Sequence, residues 1–106
     1  MQSRTLPVSM NFTDVKSRLL QALKTGDFEH EARRNITAKN KLQTGECTTE
    51  DVIKLVERCR GNSHSQSEHD QVSGIMVHVI KAQSWYIKFY FLEPSVMFIS
   101  VHLQER

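Results

Sequence analysis

The chain has 106 residues and 12.3 kDa, with 39% hydrophobic and 25% charged residues and only 4 Gly and 2 Pro. That is the make-up of one globular domain and excludes a disordered or fibrous chain. A net charge of +2 names no partner, no apolar run approaches the roughly 18 residues of a membrane span, and the start Met1-Gln2-Ser3-Arg4-Thr5-Leu6-Pro7 lacks the apolar stretch of a secretion signal. The expectation is a soluble cytoplasmic protein with a loose tail over residues 1–12 and a single domain over 13–106.

From Thr13, the apolar residues Val15, Leu19, Leu20 and Leu23 follow helical spacing, and Lys24-Thr25-Gly26-Asp27 is a helix stop. A second, weakly amphipathic helix is expected over residues 29–42, with Ala32, Ile36 and Ala38 turned inward. The third is the best signalled. Thr48 or Thr49 caps it, Glu50 and Asp51 complement its N-terminal dipole, and Val52, Leu55, Val56 and Cys59 recur at i, i+3, i+4, i+7. Arg58 and Arg60 suit its C-terminal end, and Gly61 suits a left-handed cap. Two cysteines make no disulfide framework in a chain this long, so both are read as reduced thiols, Cys59 in the core and Cys47 in a linker.

The polar stretch of residues 61–71 reads as a working or disordered loop, although a short strand can hide between Gly61 and Gly74. From Ile75 onward everything reads as strand. Ile75-Met76-Val77-His78-Val79-Ile80-Lys81, then Trp85-Tyr86-Ile87-Lys88-Phe89-Tyr90-Phe91-Leu92, then Val96-Met97-Phe98-Ile99-Ser100-Val101-His102-Leu103 are joined by short connections. That pattern predicts an antiparallel meander. The fold class is α+β, with N-terminal helices packed on one face of a C-terminal sheet.

Alternation assigns Trp85, Ile87, Phe89 and Phe91 to the core face, and Met97, Ile99, Val101 and Leu103 with them. Tyr86, Lys88 and Tyr90 then share the opposite face with Phe98, Ser100 and His102, and His78 joins them if its strand presents that side. A lysine, tyrosines and a histidine on a rigid platform can hold phosphate, stack on a base and move a proton. Metal-free RNA cleavage needs those services: a base for the 2′-hydroxyl, a cation for the phosphorane and an acid for the 5′-oxygen. The same residues also suit an ordinary solvated sheet face. Charge is uneven, with 11 basic and 8 acidic residues among the first 60 and 3 against 4 thereafter. Arg33, Arg34, Lys39 and Lys41 form a stripe without an acid that suits a phosphate backbone or a solvated helix face.

The segments Tyr86-Ile87-Lys88-Phe89-Tyr90-Phe91 and Phe98-Ile99-Ser100-Val101-His102 resemble the last two strands of the MqsR toxins, messenger-RNA interferases with a RelE-like fold in the RelE/ParE superfamily. The family pattern is Tyr-aliphatic-Lys, then aliphatic-aliphatic-Ser-x-Lys, and His102 stands where that family has its last lysine. His102 keeps a proton-transfer group there with a different pKa and reach. Upstream, Ala38-Lys39-Asn40-Lys41-Leu42 through Gly45 and the helix from Thr49 to Cys59 match the family's helical order. The resemblance implies a RelE-like fold and a metal-independent endoribonuclease of a toxin–antitoxin system, with no cofactor. Tyr86 would orient or protonate, Lys88 and Arg60 would hold phosphate, and His102 would act as acid or base. Arg33, Arg34, Lys39, Lys41, Tyr90, Ser100 and His78 would contact RNA. It also implies a cognate antitoxin that covers the basic surface with an acidic segment.

Two other readings compete. Cys59, His64 and His69 fall at Cys-x4-His-x4-His, with His78 a fourth donor, a looser spacing than zinc sites use. The same exposed aromatics and bases also fit a non-catalytic RelE/ParE-like module that inhibits a target protein or pairs with a partner subunit. There is no Gly-x-Ser-x-Gly elbow and no Gly-rich phosphate loop, and length excludes a dehydrogenase or kinase.

Overall fold

A computed structural model describes residues 11–31, 40–70, 72–93 and 95–104. Helix α1 covers Phe12–Thr25, starting one residue before the expected Thr13. The Asn11 side chain accepts from the Asp14 backbone N–H at 2.9 Å, and Gly26, at φ 84°, closes the helix by donating to the Ala22 carbonyl. Its buried stripe is Val15, Leu19, Ala22 and Leu23. After the short α2 (Lys41–Thr44) comes α3 (Thr49–Glu57). Thr48 and Asp51 exchange side-chain and backbone bonds in a capping box, and Val52 and Val56 are fully buried. The helix ends at Arg58, so Gly61 is not its cap and instead opens a 3-10 turn, Gly61–Ser63. Lys16 on α1 donates to the carbonyls of Glu57 (2.9 Å) and Cys59 (3.1 Å), tying the two helices together where α3 has unpaired acceptors. No helix among the described residues is long and apolar enough to cross a membrane.

The sheet has five strands, β1 (Phe28–His30), β2 (His64–Glu68), β3 (Met76–Ala82), β4 (Trp85–Leu92) and β5 (Ser95–Leu103), in the order β1-β5-β4-β3-β2. The β2–β3–β4–β5 pairings are antiparallel, and β1 runs parallel to β5. The fold is therefore α+β, with N-terminal helices on a C-terminal sheet. One strand departs from the expectation: Phe28–His30 pairs with Val96–Phe98, where the sequence predicts helix over residues 29–42, while the polar stretch holds β2, a short strand between Gly61 and Gly74. Residues 32–39 lie outside the described part, including Ala32, Ile36 and Ala38.

The helix-facing side of the sheet places Ile80, Ala82, Ile87, Phe89, Val96, Phe98 and Val101 against Val15, Leu19, Leu23, Val52 and Val56. Cys47 and Cys59 are buried there as free thiols. Arg18 closes one end by pairing with Glu93 and lying 4.6 Å from the Phe91 ring centroid. The other side carries a second cluster of Val77, Tyr90 and Ile99, flanked by Ile75 and Met97. Strict alternation along β5 fails because Lys88 faces Ser100 while Phe89 faces Phe98, leaving Ile99 as the extra residue of a β-bulge. Phe98 accordingly enters the core, and Met97 and Ile99 join the outer cluster, the reverse of the alternation-based assignment.

Candidate functional site

The outer side of the sheet gathers most of the expected chemistry. Cross-strand register sets Lys81, Tyr86 and His102 in one row, and Val79, Lys88 and Ser100 in the next. The Tyr86 and His102 rings stack with centroids 5.1 Å apart and planes 18° from parallel. His102 Nδ1 lies 2.7 Å from the Leu103 carbonyl, which only accepts, so Nδ1 carries a hydrogen and Nε2 is the basic nitrogen of the neutral ring. Tyr86, Lys88 and His102 are half-buried, and Ser100, opposite Lys88, is buried and so not placed to contact RNA as expected. A tyrosine, a lysine and a histidine with a defined tautomer thus sit on adjacent positions of two rigid strands.

Lys88 also borders a cavity of about 80 Å³ with Ser67, His69, Asp70, Val77 and Ile99. Behind it Tyr90 is 7% exposed and donates to Glu31 Oε2 at 2.8 Å, with the His69 ring edge-on at 5.2 Å. His69 Nδ1 accepts from the Val72 N–H at 3.2 Å, so Nε2 bears the hydrogen that points to the same Glu31 oxygen at 3.4 Å. Tyr90 shares the outer side as expected, but its hydroxyl is anchored inward and its ring is covered. It supports the platform and offers no stacking surface.

Three expected site residues lie elsewhere. His78 is on the helix-facing side, 1% exposed, because β3 turns Val77, Val79 and Lys81 outward. Its Nδ1 is 3.0 Å from His64 Nε2, and its ring packs on Phe89 and Phe91. Burial first, then His64 and Arg18, hold its imidazole down at about 4, so it is neutral near pH 7. Arg60 precedes the 3-10 turn and borders a different hollow, with Arg58 and Lys81. Lys41 is tied to Glu46 at 3.2 Å. Arg33, Arg34 and Lys39 fall outside the described residues.

The Cys59, His64, His69, His78 spacing does not converge. Cys59 Sγ donates to the Leu55 carbonyl, the His64–His78 pair faces the helices, and His69 faces Tyr90 on the outer side. Among the described residues no group of three or more metal-ligating side chains comes together. Cys47 is a buried thiol pushed up to about 11 by burial, then by Asp51 and Glu46, and is inert as a nucleophile.

Lys81 is the site residue that strand reading missed. Its signal was present, since fixing His78 inward fixes Lys81, three positions later, outward. No protein family, curated protein or solved structure matches the chain.

Proposed function

We propose that the outer face of the sheet binds single-stranded RNA and cleaves it without a metal, in the manner of the MqsR-like interferases that its last two strands resemble. The observation that carries this reading is the stacked Tyr86–His102 pair beside Lys88 and Ser100 in the next register row. His102 Nε2 takes the proton of the 2′-hydroxyl, and the freed oxygen attacks the adjacent phosphorus. Lys88 offsets the charge of the phosphorane, and the Tyr86 hydroxyl protonates the departing 5′-oxygen as the P–O5′ bond breaks. A 2′,3′-cyclic phosphate and a 5′-hydroxyl result. Arg60, bordering another hollow, has no part in this step. The reading further proposes action in the cytoplasm and neutralisation by an antitoxin whose acidic segment covers Lys81 and Lys88.

Incubating the purified chain with single-stranded RNA in EDTA tests it. Cleavage is expected, falling by about 10²–10⁴-fold in His102→Ala and in Tyr86→Phe. No cleavage by the unmodified chain, or undiminished cleavage by both variants, refutes it.

A further inference from the structure

The end of the sheet at the β3–β4 turn holds a second concentration of positive charge. A hollow of about 240 Å³ there is bordered by Arg58, Arg60, Asn62, Ser63, Lys81 and Gln83. Three cations, two amides and a hydroxyl surround it, and no carboxylate borders it. None of Arg58, Arg60 and Lys81 is ion-paired among the described residues, and all three are exposed. Surface cations without partners around one concavity focus positive potential into it.

Two features that would oppose an anion are already neutralised. The C-terminal carbonyls of α3 form the negative end of a helix, but Lys16 donates to those of Glu57 and Cys59. The Cys59 thiol is pushed up by burial and stays uncharged. The turn itself is costly in a telling way. Gln83 (φ 48°) and Ser84 (φ 74°) both occupy the left-handed region of a two-residue hairpin, where Asn-Gly is the favoured pair. One of these two residues, Gln83, borders the hollow.

We infer that this hollow binds the phosphate of a nucleotide, whether free or within an RNA chain. Its volume is below the roughly 300 Å³ of pockets that enclose a whole drug-sized ligand, so it takes the phosphate and leaves the rest outside. A neighbouring hollow of about 280 Å³ shares Leu55, Arg58 and Gln83 and is also bordered by Trp85, Glu46, Asp51 and Lys54. Trp85 offers an aromatic surface to a base. Glu46 is already paired with Lys41 and Asp51 with the Thr48 backbone N–H, so Trp85 is what this hollow adds to a phosphate held next door. Arginine forks and a lysine are the usual hands for such a group. This inference needs neither Tyr86 nor His102 and stands apart from the cleavage reading.

Calorimetric titration of the full chain at low salt with inorganic phosphate, adenosine 5′-monophosphate and a tetraribonucleotide tests it. The nucleotide is expected to bind more tightly than inorganic phosphate. Arg58→Gln with Arg60→Gln should weaken binding by about tenfold or more, and Lys81→Gln by about threefold to tenfold. All three side chains are exposed, and matched thermal melting confirms that the variants are folded. Binding of the mononucleotide assigns a free nucleotide as a sufficient ligand, whereas binding of the tetraribonucleotide alone assigns the RNA chain. No binding of any of the three, or equal affinities for wild type and the double arginine variant, overturns the inference. RNA cleavage with no phosphate binding sinks this inference alone, and phosphate binding with no cleavage sinks the cleavage reading alone.

Discussion

Acid should weaken the fold through His78 before most carboxylates titrate. The side chain is 1% exposed, bonded to His64 and stacked on Phe89, and it is held at about 4 against an ordinary 6.5. The folded state keeps this imidazole neutral, while the unfolded chain takes up a proton below pH 6.5. The stability it contributes is therefore complete above that value and lost as pH falls toward 4. Linkage between those two values gives a loss of about 2 kcal/mol from pH 7 to pH 5, and about 3 kcal/mol by pH 4. A small domain has only about 5–15 kcal/mol in total, so the effect is large. Urea denaturation of wild type and His78→Phe at pH 7, 6 and 5 reads it directly. Phenylalanine keeps a ring between Phe89 and Phe91 and removes the His78 titration, and the ionisable groups other than its partner His64 cancel in the difference. Wild type should lose about 2 kcal/mol more than the variant between pH 7 and pH 5. Parallel pH slopes would refute the reasoning, because they would mean that His78 accepts its proton in the folded state.

Other perturbations test the scaffold. Lys16→Met strips two acceptors at the end of α3 of their donor and should cost about 1–2 kcal/mol in urea denaturation. Phe98→Ala should cost about 3–5 kcal/mol, because Phe98 is fully buried, and Met97→Ala, at a half-buried position, clearly less. Equal costs would contradict the bulge. Gln83→Asn with Ser84→Gly should raise stability by about 1 kcal/mol by relieving two left-handed residues, read as a higher urea midpoint. The same pair of substitutions should lower the affinity for adenosine 5′-monophosphate, which calorimetry reads.

What was legible in the chain follows from where local chemistry is self-sufficient. Helices α1 and α3 carry their own stop and start signals and stripes, so Gly26, Thr48 and Asp51 mark boundaries that need no tertiary partner. Strands β3, β4 and β5 are long enough for their apolar content to show. Strand β1 has three residues and no periodic signal, and it exists because Val96–Phe98 offers it a parallel partner. Strand β2, His-Ser-Gln-Ser-Glu, has nothing apolar to alternate and owes its form to hydrogen bonding along β3. In β3 both faces are buried in part, so its pattern leaves open which side the lone histidine takes. Its burial depends on a partner, His64, that β2 supplies.

The bulge explains how Tyr86, Lys88, Ser100 and His102 share one face although the strand pattern that predicts it is irregular. A one-residue slip exchanges the faces of every residue beyond it. Counting back from His102 by twos put Ser100 and Phe98 outside, and counting from Phe98 would have put Ser100 and His102 with it in the core. Both counts assume a regular ladder. With Ile99 as an extra residue, Phe98 turns inward and Ser100 and His102 remain outward, opposite Lys88 and Tyr86. The physical cause is competition for two environments. Phe98 gains the core between Phe28 and Phe89, and Ile99 gains the outer cluster with Val77 and Tyr90, which a straight strand cannot grant to neighbours while also keeping Val101 inside. Bulges re-aim side chains beside functional sites more often than elsewhere. Here the re-aimed residues are the ones that stand beside Lys88 and Tyr86, so the irregularity that defeats alternation is the same one that assembles the proposed site.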